Sequence, residues 1–196
     1  MLLSKEYLRK VANQLRINEY NLNHSFVINE NAQLTHAETL EEYEIFLSHS
    51  SLDKSLVLAL VHLFNEAGYS VYVDWIEDKQ LDRSKVDPNT ASTLRKRMQS
   101  SKGLAYIATQ NTTNSRWCPW ELGYFDGLKN GRCCVLPIVD AGFKGQEYLG
   151  LYPYLDYDIG GEDSKIRFWV NDQTNKNRYI ILKKWLQGNE PYEHEG

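Results

Sequence analysis

The run Tyr43-Glu-Ile-Phe-Leu-Ser48, followed by His49-Ser-Ser-Leu-Asp-Lys-Ser-Leu-Val-Leu-Ala-Leu-Val-His-Leu-Phe64, decides how this chain folds. Its first part is a short apolar stretch that ends in small polar residues, as a buried strand does. Ser50 with Asp53 three residues on has the form of a capping box, and Leu56, Val57, Leu60, Val61 and Phe64 then line one helix face as far as Gly68. Toward the C-terminus the same unit repeats. Ser70–Trp75 reads as a second strand, Gly103–Thr109 as a third and Cys133–Val139 as a fourth, with helices over Thr90–Ser101 and Ser115–Lys129 between them. Alternating strands and helices predict an α/β fold with a central parallel sheet and helices on both faces. The loop from Ile76 to Thr90 is long for a strand-to-helix connection, which usually takes about 2–6 residues. Beyond Asp140 the pattern weakens, with Ile166–Val170 read as an edge strand and Tyr179–Gln187 as a closing helix.

Upstream, Leu3, Leu8, Val11, Leu15 and Ile17 predict an amphipathic helix over residues 2–19, and the Asn-rich text to Glu42 predicts a linker with a short strand at Ser25–Ile28. The expected organisation is therefore an N-terminal helix and linker, residues 1–42, as an appendage to a main domain at 43–190. A chain of 196 residues with 42% hydrophobic and 24% charged side chains buries roughly 70% of its unfolded surface without a disulfide or metal staple. A net charge of -4 argues against a nucleic-acid surface. No apolar run approaches the ~20 residues of a membrane span, no signal-peptide core follows the N-terminus, and a cytoplasmic protein is expected. Cys118, Cys133 and Cys134 form no C-x-x-C pair and predict reduced thiols.

In open α/β sheets ligands bind beyond the carboxyl ends of the strands, which directs attention to Ser48, His49 and Ser50, to Asp74 and Trp75, and to the segment ending at Ser115. On a helical wheel Trp117, Cys118, Trp120, Leu122, Tyr124, Phe125 and Leu128 fill an arc of about 200°, with Glu121 in its middle. A carboxylate there is paired to a basic neighbour, lies on a helix exposed on this side, or is placed for chemistry, because burial of an uncompensated charge is costly. Trp117 stands one turn before it, a flat wall beside an acid. Ser115 or Asn114 is placed to cap this helix. His49 is read as a capping or site residue, and Asp74 as a ribose ligand or a loop cap. Arg95-Lys96-Arg97 is read as a solvated face or a phosphate site, the first being favoured. Neither G-x-G-x-x-G nor a Walker A sequence occurs.

Together these segments resemble the Toll/interleukin-1 receptor (TIR) domain family. Glu44-Ile-Phe-Leu-Ser-His-Ser-Ser51 is similar to its first strand and turn, Gly68-Tyr-Ser-Val-Tyr-Val-Asp74 to its second, and Gly103-Leu-Ala-Tyr-Ile-Ala-Thr109 to its third. Ser115-Arg-Trp-Cys-Pro-Trp-Glu-Leu122 resembles the S-x-W-C-x-x-E-L stretch of plant and bacterial members. The resemblance implies a flavodoxin-like fold and cleavage of the nicotinamide–ribose bond of NAD+, with Glu121 catalytic and NAD+ as substrate rather than cofactor. Substrate binding then falls to Trp117, Ser48, His49, Ser50, Asp74, Trp75 and Ser115. It further implies self-association through surfaces including loop 77–89, and a product, ADP-ribose or a cyclic or conjugated form, passed to a separate effector in an anti-phage system of the Thoeris kind. The rival readings are a non-catalytic TIR adaptor and nucleoside deoxyribosyl transfer on a related scaffold.

Overall fold

The computed structural model describes residues 1–15, 42–78, 81, 86–139, 147–160 and 165–194. The expected strand at Ser25–Ile28 and residues 79, 80 and 82–85 of loop 77–89 lie outside them. Strand formation at the decisive run follows from burial on both sides. In the strand Tyr43–Ser48, Tyr43 and Phe46 face one apolar cluster and Ile45 and Leu47 the other, so neither side chain row meets water. With β1 at Leu3–Ser4, this is β2; β3 is Val71–Tyr72, β4 Ser101–Ala108 and β5 Cys133–Val139. They pair in parallel in the order β3-β2-β4-β5, with Ile45 opposite both Val71 and Gly103, and Tyr106 opposite Val135.

Helices cover both faces, as expected. On one side lie α1 (Lys5–Gln14) and α2 (Lys54–Glu66). On the other lie α4 (Pro88–Gln99) and α5 (Trp117–Leu128), while α3 is the short turn Asp74–Glu77. Gly68, at φ +85°, ends the α2 turn in a conformation that side chains disfavour. Gly103 is required by crowding, since a Cβ there would stand 2.6 Å from Leu186 Cδ2.

Past β5 the sheet changes character. β6 (Tyr154–Gly160) joins in parallel, and then β7 (Lys165–Asn171), β8 (Arg178–Ile181) and β9 (Tyr192–Glu193) continue antiparallel. Two expectations are corrected here. The stretch Ile166–Val170 is not an edge strand: β7 runs between β6 and β8, and Phe168 stacks on Phe64 of α2 at 4.3 Å, which anchors it inside. The expected helix Tyr179–Gln187 is half strand. Tyr179, Ile180 and Ile181 pair with β7, and only Leu182–Leu186 (α6) is helical, because aromatic and β-branched residues suit the pleat.

The N-terminal helix forms, capped by Ser4 Oγ, which accepts from Tyr7 N. Its first fifteen residues are not an appendage. Leu3 pairs with Ile138, the Met1 backbone exchanges hydrogen bonds with Tyr157 of β6, and Leu3, Leu8, Val11 and Ala12 are buried in the core shared with α2. The amphipathic pattern that revealed a helix does not say what covers its apolar side. No helix among the described residues is long and apolar enough to cross a membrane.

Candidate active site

Glu121 emerges from the second turn of α5 with no exposed surface. Ser48, the last residue of β2, donates its hydroxyl to Glu121 Oε2 at 2.6 Å. The wheel thus identified a real burial, and the serine is a partner that strand geometry supplies. A hydroxyl orients a carboxylate through a short charge-assisted hydrogen bond.

The next residue organises a second group. His49 Nδ1–H donates to Leu47 O at 2.7 Å, and its Nε2 accepts from Trp75 Nε1–H at 2.9 Å. A carbonyl can only accept and an indole N–H can only donate, so these two bonds select the neutral ring with its proton on Nδ1. Asp74 Oδ1 lies 3.3 Å from the same Nε2, where a second ring proton would meet it at the expense of the indole bond. Asp74 is not the end of the second strand, as expected, but the first residue of α3, one position past Val73. Its companion Trp75 is half-buried under Lys54, whose Nζ lies 5.5 Å over the ring.

The two groups are joined. The Cys118 thiol donates to His49 O at 3.1 Å, which makes this cysteine a strut between β2 and α5. Ser115 Oγ accepts from Cys118 N at 3.2 Å, so of the two expected capping residues, Ser115 and Asn114, it is Ser115 that bonds to the start of α5. Ser50 Oγ likewise accepts from Leu52 N. In these bonds both serines act on backbone and shape the turns that carry the site.

A third group was missed as such. Asp53 was read as part of a capping box, yet its carboxylate accepts from Thr109 Oγ1 and Asn111 Nδ2, both at 2.6 Å. Thr112 Oγ1 in turn donates to Thr109 O. This buried knot ties the turn after β2, which follows Ser48 and His49, to the loop that leads into α5 and Glu121. Its signal in the sequence is a polar Thr-x-Asn-Thr at the end of a strand, where a solvated loop reads the same way.

Trp117 is 5% exposed, packs edge-on against Trp120 at 5.4 Å between centroids, and turns its remaining surface into a cleft beside α4. The loop preceding α4 is fastened at both ends. Asp78 accepts two hydrogen bonds from Arg97 and one from Tyr72, and Asp87 caps α4 through Asn89 N and Thr90 N. Burial pulls the Asp78 carboxyl upward, but the Arg97 and Tyr72 bonds outweigh it and hold it below the usual range. Burial, reinforced by Asp78, drives the Tyr72 hydroxyl far above its ordinary value. Burial also pushes the Cys134 thiol to about 12, so this cysteine is a packing residue.

A family model described as the TIR domain matches residues 45–169. Over 151 residues the chain is 48% identical to a protein of Bacillus cereus (strain MSX-D12) named probable 3′ cyclic ADP-D-ribose synthase ThsB′, covering 75% of this chain and 77% of that one. It is 34% identical over 94 residues to the putative cyclic ADP-D-ribose synthase TIR2 of Cytobacillus dafuensis, covering 47% of this chain and 25% of that protein. A third similarity, 33% over 105 residues, is to the probable 2′ cyclic ADP-D-ribose synthase TcpO of Methanobrevibacter olleyae, covering 50% of this chain and 28% of its relative. The matched stretch contains Ser48 at the end of β2 and Glu121 in α5, and the chain belongs to the TIR domain family.

Proposed function

We propose that this chain cleaves the nicotinamide–ribose bond of NAD+ and closes the remaining ADP-ribose into a cyclic signal. The observation that supports this most is the buried Ser48–Glu121 pair at the carboxyl end of the parallel sheet. As nicotinamide departs, positive charge grows at the ribose C1 and its ring oxygen. A carboxylate already oriented in a water-poor site stabilises that charge without reorganising. Glu121 has this role, Ser48 holds it at a fixed angle, and Trp117 walls the approach. Water attacking C1 gives ADP-ribose. A hydroxyl of the other ribose attacking instead gives a ring and releases its proton, and exclusion of water favours that outcome. The naming of the relatives as cyclic ADP-D-ribose synthases supports the cyclic product.

Because Glu121 has no exposed surface in the single protomer, substrate reaches it only after the side chains that cover it move. Assembly of several copies through surfaces including loop 77–89 would supply that movement, with the exposed Leu52 and Val86, 76% and 65% exposed, as apolar contacts near the turn after β2 and the start of α4. We place the reaction in the cytoplasm, with the product acting on a separate effector in defence against phage. The complete burial of Glu121 also suits the adaptor reading, in which the pair is core packing. Incubating concentrated protein with NAD+, beside Glu121→Gln, and resolving the products by chromatography and mass spectrometry separates the two. Nicotinamide with a product lighter than ADP-ribose by one water supports the cyclase. Nicotinamide with ADP-ribose alone leaves a hydrolase, and no release from demonstrably assembled protein favours the adaptor.

A further inference from the structure

Next to the Ser48–Glu121 pair lies a buried ionisable side chain that the cleavage chemistry above does not use. His49 is 1% exposed, and both of its ring nitrogens are engaged by protein: Nδ1–H by Leu47 O and Nε2 by the indole N–H of Trp75. Its backbone oxygen accepts from the Cys118 thiol. The residue before it, Ser48, carries the hydroxyl that meets Glu121. One residue therefore joins three parts of the molecule: the end of β2, the first turn of α5, and α3, from which the chain enters loop 77–89. The His49 and Trp75 rings meet edge-on, 6.4 Å apart between centroids, and Lys54 of α2 lies over the same indole.

We propose that His49 is a positioning residue for the reaction: its neutral ring clamps Trp75 of α3 to the end of β2, and this clamp keeps the Ser48 hydroxyl at the angle that orients Glu121. The proposal rests on the NAD+-cleaving reading above. With both nitrogens bonded within the protein, the ring acts through its neighbours and not on substrate. Only the neutral form can do so, because Nε2 must offer a lone pair to the indole N–H, and a proton there turns the acceptor into a donor. Asp74 Oδ1, 3.3 Å from that nitrogen, then takes the new N–H, and the ring exchanges its indole bond for a carboxylate one. The ionisable groups set around the ring are Asp74 on α3, Cys118 and Glu121 on α5, Asp53 on the turn after β2, Lys54 on α2, and Tyr106 on β4 opposite Ser48. Of these, Asp74 is the one that approaches the ring nitrogen itself.

The test follows nicotinamide release by the full chain across the histidine range, about pH 5–8. His49→Ala should lower kcat about thirtyfold, short of the roughly hundredfold cost of a 1 Å misplacement, with KM held within about threefold. His49→Gln, whose amide keeps a donor and an acceptor but does not titrate, should bring kcat to within about fivefold of wild type at the alkaline end. Wild type should lose activity with one-proton steepness on the acid side, and His49→Gln should lack that fall. Trp75→Phe, which keeps a ring but removes the N–H, should lower kcat as His49→Ala does, and the two combined should lower it no further, as the two ends of one link behave. Equal losses in the Gln and Ala variants, a KM raised about tenfold by His49→Gln, or additive losses in the double variant overturns the proposal. Nitrogen NMR supplies a readout free of turnover: the signal missing from His49→Gln should report a proton on Nδ1 at the alkaline end and should shift in Trp75→Phe. If that signature is present and assembled wild type releases no nicotinamide, the clamp stands, while the enzymatic reading and the positioning role built on it fall. If nicotinamide is released and the signature is absent, the positioning role alone falls.

Discussion

The parallel half of the sheet and its antiparallel half are built from similar apolar residues but bury different polar ones. At the carboxyl ends of β2 and β4 and the start of α5, the described residues bury Ser48, His49, Ser50, Asp53, Thr109, Thr112 and Glu121, with Asp74 just past β3. From β6 to β9 the buried polar residue is Asn171. Each buried polar group needs partners and costs stability when they are imperfect, so a concentration of them marks where a fold has given up packing for chemistry. The antiparallel half serves the opposite purpose. Phe168 stacks on Phe64 and Tyr69 closes edge-on against both, which holds α2, and with it the turn after β2, against the sheet.

The sharpest way to break this contrast is at its polar centre. Glu121→Gln keeps the size of the side chain and an oxygen for the Ser48 hydroxyl, but removes the charge. We expect nicotinamide release to fall by about a thousandfold, the scale of losing one electrostatic stabiliser of a transition state. The melting temperature should stay level or rise, because a buried charge is no longer maintained. A variant that keeps turnover within tenfold, or melts well below wild type, would show that the pair holds the core together and does no chemistry.

On the other side, Phe168→Ala should cost about 3–5 kcal/mol of unfolding free energy in urea titration, the range for emptying a buried aromatic site. Its kcat, measured on the folded fraction well below the transition, should match wild type. A large fall in kcat at full folding would erase the division between the two halves.

Between these extremes lies Asp53. Asp53→Ala leaves the Thr109 hydroxyl and Asn111 amide without their acceptor, and an unfolding cost of about 1–3 kcal/mol is expected. Because the knot joins the loops bearing Ser48 and Glu121, activity should also fall about tenfold at temperatures where the variant is folded. Stability loss with unchanged kcat would assign Asp53 to the scaffold.

How much of this was legible in the sequence follows the same division. The parallel half announced itself: strands buried on both faces read as continuous apolar runs, and helix periods between them were clear, so β2, β4, β5, α2 and α5 stood close to their expected places. Glu121 was visible because an acid on an apolar arc is an anomaly that needs no knowledge of its partner. Ser48 as that partner was not, since pairing across 73 residues depends on how β2 and α5 meet. The antiparallel half was opaque for a physical reason. Its strands, such as Tyr154–Gly160, alternate buried and exposed positions imperfectly, and Tyr179–Leu186 carries apolar residues that fit a helix face as well as a strand followed by a turn. The first fifteen residues misled for a related reason, because an amphipathic helix shows that it needs a partner without naming one.

The smallest effect concerns the fastening of the loop that opens toward the cleft. Asp78 has a folded-state pKa held below its unfolded value by Arg97 and Tyr72, despite the upward pull of burial. A depressed carboxylate contributes stability that is fully present above its unfolded pKa, near 4, and lost as the pH falls through the lower folded value. Wild type should therefore lose this contribution on acidification below about pH 4, while Asp78→Asn, which cannot titrate, should lack it at neutral pH and be flatter on the acid side. The difference at neutral pH should be about 1 kcal/mol, as expected for a partly exposed pair with a bidentate arginine. Asp78 touches Arg97 and Tyr72, and Tyr72 packs on Phe46 of β2, so the loop start and the strand that carries Ser48 share one anchor. If Asp78→Asn moves KM for NAD+ as well as acid stability, the loop end belongs with the parallel, chemical half of the molecule; if it moves stability alone, the boundary between the two halves runs between Asp78 and the cleft.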